Sequence, residues 1–523
     1  MPAIGTITGQ TFRGTKRAVP EITIYRHAGK PIDVTPYVEA FQSSDTIDAS
    51  PGFWSIKLKR RLSVGLEPLS ARNAASFAGS IDWRDEVRDN DWLIASFSVP
   101  GKDGAPKSTR VVIGLVDTVE RERSADFNGA QDVEWTISGQ GWAKAIYDTE
   151  AIHLPQVSNG PFDIARDIPA VRGAINKALE KLMKQAPGAV VSLIFEFMLR
   201  LGEHRGPVPY MEVPASLPLP VVGRNPLAPG QARQIGDVIS IEDVDQALDG
   251  LLVPSDLIAS MEANGARLHD MMRRFTNEPY NEFFFDLAPY TTQSEGAGGV
   301  LQAVGHKTLV PAVVLRERPF PVHEGVVTGR PAWRTPSQRW ADLPTHEIHE
   351  RDLIVESLSR SGQERFNFFV ALWSHGYGLD RASLTYGLMD GAKLTSAPAI
   401  DMPSVRRHGF RKLEIESMYL QDGAESVIVA RRWTHMLRDW FGMNHLFLAG
   451  TVRVGFMLPE ARVGHRLRIR RDDGGYVLAY IEGVDHSWTK GATGTTESRT
   501  TFTLTRGTVD RDFLLPDLAG GNL

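Results

Sequence analysis

Two long stretches of this chain have the pattern of one β-hairpin design. The segment 476–506 contains an apolar strand, a polar Gly/Thr loop and a second strand in which Phe502 and Leu504 alternate with threonines. A period of two is typical of a strand with one buried face, and the loop is long enough to close a hairpin. The segment 111–141 has the same design, with an apolar strand, a polar loop and an alternating strand.

Short motifs strengthen the match between the two hairpins. Gly114–Asp117 beside the first hairpin matches Gly483–Asp485 beside the second, and the alternating strands close in Ser138–Gly141 and in Thr505–Gly507. β-Hairpins are common, but two long hairpins of one design in one chain indicate a duplicated domain.

Bulk properties exclude several classes of protein. A chain of 523 residues is expected to hold more than one domain, and its 42% hydrophobic and 23% charged residues are ordinary for a globular protein. A net charge of −5 gives no reason to expect a general nucleic-acid binder, and the absence of cysteine excludes disulfides and thiolate chemistry. The N-terminus lacks a signal-peptide pattern, and the most apolar run, 189–201, is too short for a membrane segment and is predicted to be a buried helix.

The organisation along the chain predicts mainly β structure with α insertions. Residues 1 to about 150 contain short alternating strands with polar turns, which favour a barrel or a sandwich. Helical spacing predominates over 155–275, including a helix from Ile241, and a Pro-rich connector at 207–229 is expected to be extended and exposed. A mixed region then leads to a predicted helix over 425–441.

Candidate chemical sites are weighed against simpler explanations. Thr345–Glu350 places His346 and His349 at i, i+3 beside glutamates, but a zinc-protease helix requires His-Glu-x-x-His, so a solvated charged segment is favoured. Gly139 and Gly141 follow a strand without the rest of a dinucleotide-binding fingerprint, which favours a hairpin end.

The remaining candidates also favour structural roles. An alternating basic cluster is predicted to coat a solvated strand face, with an anion-facing or partner-facing role as the alternative: Arg466, Arg468, Arg470 and Arg471. An apolar helical stripe is predicted to be core: Trp433, Leu437 and Trp440. There is no phosphate-binding loop or nucleophile elbow, and sequence cannot rank carboxylate pairs. The sequence therefore predicts no catalytic, cofactor-binding or metal-binding residues and no enzyme activity.

Three segments in the C-terminal part of the chain carry a resemblance to a known family: Leu446–Gly455, Leu458–Ile469 and Gly475–Trp488. They resemble the end of phage tail hub proteins, which include the late control protein D family and the hub half of VgrG from type VI secretion. Earlier segments agree with it: Asp91–Ile94, Arg110–Asp117, Asn281–Leu287, Pro311–Phe320 and Ser359–Phe369. It covers most of the chain except a helical insert at 165–235.

The resemblance implies an α+β chain with two tail-tube-like antiparallel β-barrels and a helical or mixed middle region. The expected domains are a first barrel, a helical insert with the connector, a mixed α/β domain, and a helix plus second barrel: 1–155, 156–280, 281–410 and 411–523. The closing hairpin spans 476–507, and strands from 310–375 are candidates to complete the second barrel. A homotrimer of such chains presents six similar barrels, so that a threefold hub fits a sixfold tail tube.

The resemblance also implies partners. They are a tail tube protein above, a central spike below, and tape measure and baseplate wedge proteins, with the genome passing through the channel without sequence-specific binding. A VgrG chain continues into a spike, whereas this sequence ends at Leu523, so the spike is expected to be a separate protein. Contractile and non-contractile tails use related hubs and stay unresolved.

The sequence therefore predicts a structural baseplate hub of a phage or phage-like contractile injection system, located in the virion and made in the host cytoplasm, without cofactors. One alternative is a tail-associated cell-wall-degrading enzyme, which would clear peptidoglycan. A second alternative is a carbohydrate-binding β-sandwich protein, which would be a stable monomer with exposed aromatic platforms.

Overall fold

The fold is taken from a computed structural model of the chain. It describes residues 17–47, 51–59, 82–100, 106–125, 131–149, 195, 199, 211–222, 233–242, 267–273, 281–295, 301–321, 338–373, 394–395, 398–416, 424–442, 444–491 and 495–509.

Strands predominate in these residues. The N-terminal part contributes β1 (Val19–Tyr25), β2 (Ile32–Asp33), β3 (Val38–Thr46), β4 (Phe53–Lys59), β5 (Trp92–Pro100), β6 (Pro106–Ala125) and β7 (Gln131–Gly141). The middle part contributes β8 (Ser240–Glu242), β9 (Asn281–Glu295), β10 (Leu301–Glu317), β11 (Thr345–His349), β12 (Leu353–Ser359), β13 (Phe368–Trp373), β14 (Leu394–Thr395), β15 (Ala399–Ile400) and β16 (Lys412–Glu416). The C-terminal part contributes β17 (Leu448–Val454), β18 (Arg466–Arg470), β19 (Tyr476–Lys490) and β20 (Thr496–Val509).

Helices are few and mostly short. They are α1 (Trp83–Glu86), α2 (Lys144–Asp148), α3 (Ile235–Val238), α4 (Leu268–Arg273), α5 (Gln338–Asp342), α6 (Met402–His408) and α7 (Ala424–Phe441). Within the described ranges no helix has the length and apolar character needed to cross a membrane.

One large sheet joins the two ends of the chain. It has 13 strands, and its main path runs β12-β17-β20-β19-β3-β4-β7-β6-β5-β1-β2, while β18 pairs with β19 and β11. Two smaller sheets, β8-β10-β9 and the group β13–β16, belong to the middle of the chain. The chain is therefore mainly β, as predicted, with helices as insertions.

The large sheet contains the same five strands twice. In the first repeat, defined here as β3 to β7, the order is β5-β6-β7-β4-β3, and every neighbouring pair is antiparallel. In the second repeat, defined as β12 and β17 to β20, the order is β18-β19-β20-β17-β12, again antiparallel throughout. Both repeats follow the same order along the chain, and a three-residue 3-10 turn precedes both β3 and β12. The duplication predicted from the two hairpins is present in the sheet.

Two of the irregularities in the ladders match between the repeats. The β6–β7 pairing shifts register between Val116 and Thr118, and the β19–β20 pairing shifts between Ile481 and Gly483. The β3–β4 and β12–β17 pairings both shift near their first residues. Because a bulge inserts one residue at a defined place in the ladder, these shifts fix which residues correspond.

This correspondence corrects the motif match made from sequence. The bulges place Thr118, not Gly114, at the position of Gly483, so the match of Gly114–Asp117 to Gly483–Asp485 is wrong in register. Short runs of small and apolar residues fit several positions of an alternating strand, whereas the partner strands and the bulge allow one alignment.

The predicted closed barrels are not found in the described residues. Each repeat is open, and the two are joined edge to edge because β19 pairs with β3 over Gly483–Thr489. The strand β19 of the second repeat thus extends the sheet of the first repeat. It does so with the edge that its own sheet would need in order to close into a barrel.

Other predictions have mixed outcomes. The helix predicted over 425–441 is confirmed as α7. The helix predicted from Ile241 is wrong at its start, because Ile241 lies in β8 and pairs in parallel with β10. The connector is not fully exposed, since Val213, Leu217 and Leu219 are buried in a core with β10 and α7. Most of the region of predicted helical spacing at 155–275 lies outside the described residues, including most of the buried helix predicted over 189–201.

A swap of large and small residues shows how the two repeats keep one backbone with different sequences. In the first repeat Trp54 of β4 stands opposite Gly139 of β7, and in the second repeat Gly450 of β17 stands opposite Leu504 of β20. A Cβ added to Gly139 would lie 1.9 Å from the Leu115 carbonyl oxygen. The glycine at this position is required by close packing and not by a turn.

We expect Gly139→Ala to lower the free energy of unfolding by about 1–3 kcal/mol, because the added methyl has no room and forces the β6–β7 hairpin or Trp54 to shift. Thermal and denaturant unfolding measure the change. Gly362→Ala is the matched control, since a Cβ there meets nothing within 4 Å. Equal stability of the two variants would contradict this packing.

Candidate functional site

The candidate site is the place where one strand changes its pairing partner. One edge of β19 pairs with β18 over Tyr476–Tyr480 and then with β3 over Gly483–Thr489, while its other edge pairs with β20. We call Ile481–Gly483 the switch point of β19. The corresponding switch point of β6 is Val116–Thr118, where the pairing with β5 ends.

The backbone at the two switch points is the same. The Gly464 N–H donates to the Ile481 carbonyl at 2.8 Å, and the Asn90 N–H donates to the Val116 carbonyl at 2.9 Å. Gly464 has φ 78° and Asn90 has φ 62°, in the left-handed region that glycine and asparagine tolerate best. The same tight turn therefore leads into β18 and into β5.

The junction between β19 and β3 is closed by a buried aromatic residue. Trp488 of β19 is 4% exposed and belongs to the core of the first repeat, although it comes from the second. Its indole N–H donates to the Ala18 carbonyl at 3.0 Å. This side chain stabilises the contact between the repeats with an apolar body and a satisfied polar group.

A buried ionic network ties the middle of the chain to the second switch point. The Arg316 guanidinium of β10 donates to the Glu282 carboxylate at 2.6 Å and to the Gly464 carbonyl at 2.8 Å. The Tyr480 hydroxyl donates to the same Glu282 oxygen at 2.5 Å. Burial by itself would raise the pKa of Glu282, but the surrounding arginines, Arg316 first, hold its pKa below the ordinary value. Glu282 is therefore a charged carboxylate inside the protein.

Each switch point also carries a paired acid. Asp117 forms an ion pair with Lys144 Nζ at 2.5 Å, and Lys144 also donates a hydrogen bond to the Asn90 side-chain oxygen at 2.9 Å. Glu482, the residue that corresponds to Asp117, pairs with Arg506 at 3.4 Å. The acid at the switch point is thus paired with a lysine in the first repeat and with an arginine in the second.

A small acidic cavity lies beside the junction. Its volume is about 30 Å³, and its lining includes Asp45, Asp286 and Arg462. Burial raises the pKa of Asp45 to about 7, with a smaller contribution from Asp286, and burial raises the pKa of Asp286 to about 6 against the opposing charge of Arg462. A cavity of this size accommodates about one water molecule and is far smaller than a typical ligand pocket.

The segment with two histidines is a strand and not a solvated charged segment. Thr345–His349 forms β11, in which Glu347 is 7% exposed and binds Arg470 at 2.6 Å. The prediction of a solvated segment is wrong, because parallel pairing with β18 covers the segment and supplies its counter-ions. His346 Nε2 lies 2.9 Å from His465 Nδ1, and burial lowers the pKa of both rings, that of His346 to about 4. Both rings are neutral at neutral pH.

The basic cluster lies on β18 and just after it, with the predicted alternation, but its members do not simply coat a solvated face. Arg468 packs over the Tyr476 ring at 4.1 Å, Arg466 over the Trp340 ring at 5.7 Å, and Arg471 binds Glu356 at 3.0 Å. The arginines hold β18 to β11, β12 and β19.

The remaining candidates have the structural roles expected of them. Gly139 and Gly141 lie in β7 at the end of the hairpin. Trp433, Leu437 and Trp440 are buried in a core. Across the described ranges no cluster of three or more histidines or acids could hold a metal ion.

Sequence reasoning missed the residues that form the site. Glu282, Arg316 and Tyr480 are far apart in the chain, so no local spacing brings them together. One signal was present, because Glu282 opens an aromatic strand and Arg316 ends an apolar one. A charged residue within such a run is a candidate for a buried ion pair.

We expect Arg316→Met to lower the free energy of unfolding by about 3–5 kcal/mol, because it leaves the Glu282 charge buried without its partner. The loss should be larger at pH 8 than at pH 4, where Glu282 can become protonated, and adding Glu282→Gln should recover part of it. Arg499→Met is the control, since the Arg499–Glu497 pair is exposed and worth at most about 1 kcal/mol. Equal losses in both variants would contradict a buried charged network.

The acidic cavity predicts a pH dependence. The pKa of Asp45 is raised on folding, so the folded state binds the proton more tightly and stability falls as pH rises from about 4 to about 7. We expect Asp45→Asn to raise the unfolding temperature relative to wild type at pH 8 and to leave it nearly unchanged at pH 4. Asp85→Asn, at an exposed position, is the control. A stabilisation by Asp45→Asn that does not depend on pH would contradict the assignment.

Comparison with known proteins gives a likeness to tail proteins at the level of solved structures. No family model matches the sequence, and no curated protein matches it. The 43 kDa tail protein of prophage MuSo2 from Shewanella oneidensis is 10% identical with a TM-score of 0.40, covering 93% of this chain and 96% of that chain. A tail protein from Neisseria meningitidis MC58 is 10% identical with a TM-score of 0.40, covering 95% of this chain and 99% of that chain. The Francisella PdpA–VgrG complex is 7% identical with a TM-score of 0.35, covering 94% of this chain and 58% of that chain. The first two of these structures are tail proteins, and the third is a complex that contains VgrG.

Proposed function

We propose that this chain is the structural baseplate hub of a phage or phage-like tail. Three copies form a ring with pseudo-sixfold symmetry that joins the tail tube to the central spike and surrounds the channel. The ring is a component of the virion and works without catalysis.

One observation carries the proposal: two repeats of one strand order, with matching bulges and switch points, are joined edge to edge in a continuous sheet. Three chains with two repeats each supply six similar modules around an axis. A threefold assembly can then present a sixfold surface to a sixfold tube, and a cyclic arrangement closes without free ends.

The open edges of the sheet support assembly. A strand edge with unpaired N–H and C=O groups is a template for pairing with another chain, and closure of a sheet removes such edges. On this proposal the sheet edges that stay open within one chain are covered by neighbouring protomers, with 1–155 and 411–523 as the tube-like domains and strands from 310–375 in the second. The helical insert with the connector, 156–280, is then available to contact tape measure and wedge proteins.

We expect the purified chain to have a solution mass three times its own 57.8 kDa. Native mass spectrometry or light scattering measures it, and electron microscopy of the particle should show six similar β-modules around a central channel.

Two results would contradict the hub. A particle with six chains around the axis would place twelve repeats in the ring, and a stable monomer at all concentrations would remove the ring altogether. Clearing of peptidoglycan by the purified chain, lost on substitution of specific acids, would favour the enzyme alternative instead.

A further inference from the structure

We propose that β12 of one protomer pairs antiparallel with the outer half of β6 of a second copy of this chain, in the register that β3 uses on β19 within one chain. This inference rests on the proposed ring, because it names the contact by which neighbouring protomers join. Beyond the proposed ring, it specifies which two strands form the contact, that they run antiparallel, and which residues face each other.

The template for this contact is the junction inside the chain. Beyond its switch point, β19 pairs with β3 so that Asp485 stands opposite Ser44 and Ser487 opposite Gln42. The long strand of the second repeat therefore binds the first strand of the first repeat.

The first repeat has the same long strand without the same partner. Beyond its switch point, Thr118–Ala125 of β6 pairs with β7 on one edge, and no strand among the described residues pairs with its other edge. The side chains of Thr118, Glu120 and Glu122 are exposed. This edge has the position in β6 that the β3-binding edge has in β19.

The second repeat has the matching strand, also unpaired on one edge. β12 pairs with β17 and is the last strand of the sheet path in the described part of the chain. Ile354 and Val355 on this strand are 55% and 42% exposed. An edge strand with exposed β-branched residues is prone to pair with another strand. By contrast β3, which has a partner on both edges, buries Phe41 and Ser43.

The pairings to neighbouring strands fix how β12 corresponds to β3. Within the first repeat Gln42 pairs with Ser55, which pairs with Ser138, and within the second repeat Ser357 pairs with Thr451, which pairs with Thr503. Ser357 is therefore the equivalent of Gln42. The register shift at Val38/Ala40 in β3 recurs at Leu353/Val355 in β12 and gives the same alignment.

Transfer of the template gives a specific set of opposed residues. Glu120 corresponds to Asp485 and Glu122 to Ser487, so Glu120 stands opposite Ser359 and Glu122 opposite Ser357 of the second copy.

The residue types in this register are compatible. Glu120 and Glu122 face serines, and no two like charges are directly opposed over Thr118–Glu122. Opposite charges at facing positions stabilise an antiparallel pair, and like charges there destabilise it. The pairing therefore adds backbone hydrogen bonds without an electrostatic penalty at the facing positions.

The contact is head to tail, because β6 and β12 are different surfaces of the chain. Such heterologous contacts generate a ring when the rotation closes. Here the contact between chains imitates the junction within a chain, so every long strand binds the first strand of the following repeat, alternately inside one protomer and between two.

Engineered disulfides test the register, and the chain has no natural cysteine to interfere. The test variant carries Glu120→Cys and Ser359→Cys. Facing residues of an antiparallel pair have Cβ atoms about 4.5–5.5 Å apart, close enough for a disulfide after small adjustment. We expect mild oxidation to give covalent trimers on a non-reducing gel, and a mixture of the two single variants to give only covalent dimers.

Two matched controls bracket this result. Asp485→Cys with Ser44→Cys places the equivalent pair at the junction within one chain and should give an intrachain disulfide without a change in mass. Glu120→Cys with Ser357→Cys places the cysteines on a diagonal, about 7–8 Å apart, and should crosslink several-fold less than the test pair.

The outcomes separate this inference from the proposed function. A trimer in solution whose test pair does not crosslink, or whose diagonal pair crosslinks better, would overturn the register while leaving the hub in place. A chain that stays monomeric and gives no intermolecular crosslink at any concentration, while the control within the chain forms, would overturn both.

Discussion

The architecture depends on one strand, β19, that is longer than the strand of its own repeat that pairs with one of its edges. β19 has 15 residues, whereas β18, which shares one of its edges, has 5. The remaining part of that edge carries backbone donors and acceptors that need partners, and β3 of the other repeat supplies them. A single mismatch in strand length therefore turns two small sheets into one. The same mismatch between β6 and β5 leaves the corresponding edge of β6 without a partner strand in the described part of the chain.

The repeats keep this geometry while sharing little sequence. At one pair of facing positions the first repeat uses Trp54 and Gly139 and the second uses Gly450 and Leu504, so each pair combines a glycine with a large residue while the large residue changes strands. At the turn before the switch point, Asn90 in one repeat and Gly464 in the other provide the left-handed conformation. Residue-by-residue comparison fails at such positions, because a glycine is needed in the facing pair but either strand can supply it.

These facts explain how much of the fold and site could be predicted from the sequence. The two hairpins and helix α7 have local alternation or helical spacing, and both are visible in the sequence alone. The register between the repeats was misjudged at Gly114 and Gly483, because the bulges that set it depend on partner strands. The burial of Glu347 was missed for a related reason: it results from parallel pairing of β11 with a strand far along the chain. Closed barrels were expected from the resemblance to tail hub proteins, and local patterns could not correct this because they do not reveal where a long strand changes partner.

The polar groups around the switch points have a purpose that apolar packing would not serve. Apolar faces of two strands can slide by two residues and still bury the same kind of side chain, whereas directional hydrogen bonds allow one register. Arg316 reaches the carbonyl of Gly464, the residue whose N–H binds the switch point of β19. Lys144 reaches both Asn90 and Asp117 at the switch point of β6. In each repeat a cation from outside the five strands thus holds the turn where pairing with one strand must stop. The edge beyond that turn is thereby presented in a fixed position, within the chain for β19 and, in the proposed ring, toward a neighbouring protomer for β6.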